Sequence, residues 1–278
     1  MRSDLHVHTF CSPDSSTTPD EVCRMALESG LDAIAITDHV RYWKHGDRGG
    51  AVGYQGRDCA TGAEFFRAAQ GVKTKYAGKL AVLAGVEISY ESSREGEIRA
   101  FLAENPFEFV IGSVHDSPPV NWWDPSSASI LRTRPALARN ALTYYYTELR
   151  GAAESGLFDV IAHIDVYERY FPNQWPNIFE DELLSPIVRS AVEAIAKHAR
   201  MEINLTTLQT LGRFPWSALP LLQMYCQMGG KPPTLGSDAH LPGYIGKGLD
   251  KGEQLAREAG FESTADWREV VRHRSAGN

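Results

Sequence analysis

Six of the nine histidines in this 278-residue chain fall directly behind short apolar runs that recur from one end of the sequence to the other. The clusters read His6-Val7-His8, Thr37-Asp38-His39, Gly85-Val86-Glu87, Gly112-Ser113-Val114-His115-Asp116, Ile161-Ala162-His163 and Gly236-Ser237-Asp238-Ala239-His240. A chain that ends one apolar run after another on an imidazole or a carboxylate is built to gather strand ends. Parallel barrels do this at their carboxyl-terminal rim, where residues distant in sequence converge.

Apolar runs of strand length alternate with longer helix-like stretches, the pattern of parallel strands joined by crossover helices. The class is α/β, and seven strands are expected, at 3–7, 33–37, 80–87, 107–114, 158–163, 200–205 and 233–237. Helices are expected at 19–29, 62–77, 94–103, 135–155, 184–199, 217–228 and 244–259. Thr18-Pro19-Asp20-Glu21 is a start signal, with a capping hydroxyl, a proline at the first helical position and acids in the first turn. Two long irregular segments, 41–61 and 116–134, follow ligand-like histidines and are expected to cover the site. No repeat or linker marks a domain boundary, and a barrel commonly takes about 250 residues, so 1–278 reads as one domain.

A formal net charge of −7 argues against a nucleic-acid backbone as the main partner, because that binding needs Lys and Arg to displace counterions. Cys11, Cys23, Cys59 and Cys226 lack C-x-x-C spacing and are too few for a disulfide scaffold, which suits a reducing compartment. No apolar run approaches the roughly 18 residues of a membrane span. The opening MRSDLHVH reaches the first histidines without a leader-like stretch, so the expected location is cytoplasmic.

Side chains alternate along a strand, so His6 and His8 project to one side and can share an ion. The strand ends together carry His8, His39, Glu87, His115, His163, Asp238 and His240. Mixed imidazole and carboxylate donors suit zinc, iron or manganese, whereas calcium and magnesium prefer oxygen shells. Structural zinc sites are closed and usually rich in cysteine, so this many donors imply open, catalytic sites. Glu87 can bridge two ions, and ions about 3.5–4 Å apart stabilise both attacking and leaving oxygens in phosphoryl transfer.

These residues resemble, in order and over nearly the whole chain, the motifs of the polymerase and histidinol phosphatase (PHP) family. The histidinol-phosphate phosphatase branch is the most similar. DLHVHTFCSPDS resembles the first motif, AITDH the second, GVEI the third, GSVHD the fourth, IAHIDVYERY the fifth, and EIN followed by TLGSDAH the last. The resemblance implies a distorted seven-stranded (β/α) barrel with a trinuclear metal centre. It assigns His6, His8, Glu87 and Asp238 to one ion, Glu87, His115 and His163 to a second, and Asp14, His39 and His240 to a third. It further implies hydrolysis of a phosphate monoester, L-histidinol phosphate above all, by hydroxide generated at the metals, with Glu87, Asp14 and His240 as the catalytic candidates. By its surroundings alone, Asp14 in SPDSS could equally be a turn residue.

Phosphate favours a planar bidentate donor, and Arg169, just beyond His163, matches a basic position that follows the fifth motif. After the sixth strand the branch has E-I-N-T-S-G-L-R, but here the expected arginine is Gln209, and Arg213 is the nearest replacement. Trp122 and Trp123 could stack on a substrate ring or pack their loop. Three alternatives stay open: another small phosphate ester or a nucleotide as substrate, a metal-dependent amidohydrolase, and a metal-bearing accessory module. Nothing in the sequence sets the oligomeric state.

Overall fold

The computed structural model describes residues 1–40, 62–118, 120 and 127–271. Its strand segments are β1 (Ser3–Val7), β2 (Ala33–Ile36), β3 (His39–Val40), β4 (Ala81–Ser89), β5 (Phe109–Ser113), β6 (Val160–Ile161), β7 (Arg200–Asn204) and β8 (Thr234–Gly236). All pair in parallel, in the order β1-β2-β4-β5-β6-β7-β8, with β3 beside β4. β3 resumes the path of β2 after a break at Thr37 and Asp38, so the segments form seven staves, as expected. The break arises because these two side chains are used elsewhere. Thr37 Oγ1 accepts from the Val7 amide at 3.1 Å, and the Asp38 carboxylate accepts from Thr9 and Ser12 hydroxyls at 2.6 and 2.7 Å.

The ring closes from β8 back to β1. The Asp238 amide donates to His6 O at 2.8 Å and the His8 amide to Ala239 O at 3.0 Å. These bonds occupy backbone groups that an open sheet edge would leave unpaired.

The helices are α1 (Pro19–Glu28), α2 (Gly62–Lys75), α3 (Glu95–Glu104), α4 (Ser127–Thr133), α5 (Pro135–Glu154), α6 (Tyr167–Tyr170), α7 (Leu184–His198), α8 (Thr206–Leu211), α9 (Ala218–Gln227) and α10 (Leu249–Glu258). α1 begins as expected: Thr18 Oγ1 accepts from the Glu21 amide at 3.2 Å, and the Glu21 carboxylate accepts from the Thr18 amide at 2.9 Å. That reciprocal cap satisfies two amides that a helix start leaves free. The expected helix at 244–259 is corrected. Gly246 and Gly248 adopt left-handed conformations, with φ of 70° and 91°, and the helix starts only at Leu249. The segment at 116–134 contains α4, while 41–61 lies outside the described residues. No helix among the described residues is long and apolar enough to cross a membrane.

Two apolar layers hold the barrel. Val7, Ile34, Ile36, Val86, Ile88, Ile161, Met201 and Ile203 face the surrounding helices. Leu5, Ala35, Leu83, Phe109, Ile111, Val160 and Ala162 pack with one another and with Ala265 and Val270 of the C-terminal segment. A register shift between Asp4 and Val7 lets Leu5 join this second layer while His6 and His8 both turn toward the site. The strands therefore carry an apolar floor, with the polar ends of the same strands above it.

Candidate metal centre

The ligand candidates sit where the strand register puts them. His39 of β3 is in register with Glu87 of β4, and its Nδ1 lies 2.7 Å from Glu87 Oε2. Around the same carboxylate lie His6 Nε2 at 3.3 Å and His8 Nε2 at 3.5 Å on Oε2, and His163 Nε2 at 3.0 Å and His115 Nε2 at 3.3 Å on Oε1. One fully buried carboxylate thus faces five imidazoles from four staves. Asp238 Oδ1 approaches His8 Nε2 at 3.1 Å and His6 Nε2 at 3.6 Å. Asp14 closes the far side, 3.2 Å from His240 Nε2 and 3.7 Å from His39 Nε2.

All nine expected ligands are therefore brought together. Donor atoms within 4.8 Å of one another form the groups His6, His8 and Asp238; His39, Glu87 and His115; and His8, His39 and His240. These groups regroup some residues relative to the ligand sets implied by the motifs, because neighbouring sites share side chains. His6 Nε2, His8 Nε2, His240 Nε2 and Glu87 Oε2 are buried without a well-formed hydrogen bond. Polar atoms left so in a core are costly unless something fills the space between them. Metal ions fit that space and that donor set.

Protein groups hold the other nitrogen of several rings. His6 Nδ1 is 2.6 Å from Glu202 Oε1, His8 Nδ1 is 2.9 Å from Ser12 Oγ, and His240 Nδ1 is 2.9 Å from Asp238 O. His115 Nδ1 meets Ser89 Oγ at 2.5 Å and Ser113 Oγ at 3.2 Å. His163 and Asp238 both take left-handed backbone conformations, with φ of 30° and 52°. Such strain in residues other than glycine gathers at functional sites.

The electrostatics follow from this crowding. Burial opposes charge on Glu87, yet His39, His115 and His6 hold its carboxyl well below the usual range. Burial likewise opposes charge on Asp238, and His6, His8 and His240 outweigh it. Burial and the neighbouring His240 push His8 down. His240 rises to about 9 against its burial, because Asp14 and Asp238 stabilise the cation. Asp14 is held below the usual carboxylate range by His240 and His39, again against burial.

A cavity of about 410 Å³ opens over the centre, lined by ligand residues on one side and by α6 and α8 on the other. Arg169 of α6 reaches it, with Nη1 3.6 Å from Asp238 Oδ2 and Nη2 donating to Tyr170 Oη at 2.8 Å. Arg213 does not: it is exposed, donates to Phe214 O at 3.2 Å and is absent from the cavity lining. Gln209 faces away as well, donating from Nε2 to Lys247 O at 3.0 Å. Asp116 and His198 are exposed. His45, Trp122, Trp123 and His273 lie outside the described residues. Sequence reasoning missed Tyr170, Thr206, Thr210 and Leu211 as cavity walls and Glu202, Ser12 and Asp38 as supports. Only Glu202 and Asp38 carried a signal, as acids inside two of the motifs.

A closed parallel barrel with buried imidazoles and carboxylates gathered at its carboxyl rim defines the class, a metal-dependent barrel hydrolase. Residues 4–206 match the PHP domain family, and the chain belongs to it. A probable histidinol-phosphatase of Deinococcus radiodurans is 27% identical over 246 residues, covering 87% of this chain and 88% of the relative. A histidinol-phosphatase of Lactococcus lactis is 26% identical over 266 residues, covering 94% and 93%. The crystal structure of the histidinol phosphate phosphatase of Lactococcus lactis, in complex with zinc, L-histidinol and phosphate, superposes with a TM-score of 0.74 at 22% identity, covering 98% of each chain.

Proposed function

We propose that this protein is a histidinol-phosphate phosphatase, hydrolysing L-histidinol phosphate to L-histidinol and phosphate in histidine biosynthesis. The carrying observation is the convergence of nine imidazole and carboxylate side chains beneath a cavity of about 410 Å³ that also holds an arginine. That volume suits a small metabolite. The names of the relatives supply the substrate, and the zinc in the Lactococcus structure supports zinc here, with manganese and iron as competing occupants of up to three sites. The reading takes the whole chain as one domain acting in the cytoplasm.

His6, His8, Glu87 and Asp238 would hold one ion, Glu87, His115 and His163 a second, and Asp14, His39 and His240 a third. When bound, such ions lower the pKa of water from about 15.7 to about 7 and neutralise phosphoryl oxygens. The chain's own residues do the rest. Arg169 presents its guanidinium to the cavity and orients the phosphate. Glu87 offers an oxygen to each of two ligand clusters and fixes their spacing. Asp14 lies 3.2 Å from His240 Nε2 and 3.7 Å from His39 Nε2, within the third donor set. It serves as a ligand there.

A different small phosphate ester is favoured by one observation: Gln209 replaces the expected arginine and points away from the cavity, leaving Arg169 as the arginine lining it among the described residues. A single arginine suits one phosphate rather than a nucleotide's chain of them. No lysine lines the cavity among the described residues, which disfavours the binuclear amidohydrolase.

The test is phosphate release from L-histidinol phosphate beside a panel of small monoesters and nucleotides, with protein loaded separately with zinc, manganese and iron. Selective release from histidinol phosphate, falling at least about 100-fold in His8→Ala, is expected, since lost metal ligation removes the Lewis acid. Faster release from another ester would overturn the substrate and keep the chemistry.

A further inference from the structure

Glu202 of β7 lies among the ligand ends but belongs to none of the three ligand groups. It is buried, and its two oxygens accept from different staves. Oε1 is 2.6 Å from His6 Nδ1 of β1. Oε2 accepts from the His163 amide beyond β6 at 3.1 Å and from Asn204 Nδ2 at 3.0 Å, and the same Asn204 nitrogen lies 3.3 Å from Asp238 Oδ2. Space for this carboxylate is left by Gly236 on the neighbouring β8, where any Cβ would run into the Glu202 carboxylate and into His6 Cβ. His163 needs such a hold, because its backbone is left-handed; Tyr145 grips the other side, donating from its hydroxyl to His163 O at 2.8 Å.

We propose that Glu202 is a positioning residue that fixes the tautomer of His6 and couples the ion sites built on His6 and His163. The inference rests on the metal-centre reading above. A carboxylate whose one oxygen takes two N–H donors and whose other faces His6 Nδ1 accepts at every contact. His6 therefore carries its proton on Nδ1 and aims the Nε2 lone pair toward Glu87 and Asp238, 3.3 and 3.6 Å away. A carboxylate behind a metal-binding imidazole orients the ring and raises its basicity. Here the same carboxylate also fixes the backbone of a ligand from the adjacent cluster.

Glutamine has the shape of glutamate but one acceptor oxygen instead of two. If that oxygen faces His163 and Asn204, the amide NH₂ faces His6 Nδ1, takes its lone pair and moves the ring proton to Nε2, where it blocks coordination. If the amide is turned over, NH₂ meets two N–H donors and the hold on His163 is lost. Asp14, His39 and His240 make no contact with Glu202 among the described hydrogen bonds and ion pairs, so their site is spared.

The experiment titrates metal-free full-length wild type and Glu202→Gln with zinc by calorimetry, with elemental analysis of bound metal and thermal melting of both metal-free proteins. The variant is expected to bind zinc roughly 10–100-fold more weakly at two sites while keeping the third, in a protein that still melts cooperatively. In parallel, ¹⁵N spectra of histidine-labelled, zinc-loaded wild type should give His6 a protonated Nδ1 and a metal-bound Nε2. Wild-type affinity at every site in a folded Glu202→Gln, or a His6 proton on Nε2 in the wild type, would overturn the proposal. Should the variant fail to fold, the wild-type spectrum decides by itself. A wild type that takes up no zinc, manganese or iron would sink the metal-centre reading, and this inference with it.

Discussion

A single ring nitrogen decides whether each histidine here can bind an ion. In His6, His8, His115 and His240 it is Nδ1 that contacts a carboxylate, hydroxyl or carbonyl oxygen of the protein. For His8 the support is two residues deep, since Ser12 Oγ in turn donates to Asp38 Oδ1 at 2.7 Å. A hydroxyl that gives its proton to a carboxylate can only accept from the imidazole, so Nε2 is left as the ligand atom. Gly236 belongs to the same scale: Gly236→Ala pushes a methyl group into the Glu202 carboxylate and His6. Overpacking of this kind costs about 1–3 kcal/mol. The variant is expected to melt several degrees lower and to retain less zinc per chain, read by calorimetry and elemental analysis. Melting and zinc content both equal to wild type would refute the packing argument.

The short helices above the rim decide the cavity. α6 holds Arg169 over the centre and is pinned by its neighbour Glu168, whose carboxylate accepts from the Trp216 amide at 2.8 Å and from the Ser217 hydroxyl at the start of α9. Arg169→Lys keeps the charge and loses the planar fork. A hydrogen bond to a charged group contributes about 1.5–3 kcal/mol, so kcat/KM should fall roughly 10–100-fold with zinc content unchanged. Glu168→Ala should raise KM by loosening α6, again without loss of zinc; a normal KM would show that α6 is held by other contacts. α8 is tied in the same way through Gln209 to the segment after β8. Neither α6 nor α8 was legible in the sequence, because helices of 4 and 6 residues are too brief to display a 3.6-residue period. The longer helices were legible, since each presents several turns of apolar stripe to the barrel.

For the whole molecule, the consequential feature is the C-terminal segment against the barrel's interior layer. Ala265 and Val270 are buried there, Trp267 packs beside them, and the Ala265 amide donates to Pro233 O at 2.8 Å. Phe261, just ahead, is buried in the outer layer. Burying a large apolar side chain stabilises by about 1.5–3 kcal/mol. Removing residues 261–278 should therefore cost several kcal/mol and lower the melting temperature by about 10 °C, given about 2–4 °C per kcal/mol for chains of this order. A truncated chain that melts like the full one would mean that the segment rests on the barrel without supporting it.

The sequence by itself determined the alternation of strand and helix, the seven staves and eight of the nine ligand candidates through local pattern, while Asp14 came only from the resemblance to the family's first motif. Strand ends are marked by the change from apolar to imidazole or carboxylate, and the ordered motifs place them within a family. Tertiary structure alone decided which of these groups meet. The His39–Glu87 register, the break after β2 and the shift in β1 set the ligand distances, and each depends on pairing between segments far apart in the chain. Tertiary structure also separated the two arginines, carrying Arg169 into the cavity on a four-residue helix and leaving Arg213 at the surface. The physical reason is that local pattern fixes which face a side chain takes, whereas a position in space needs the whole barrel closed around it.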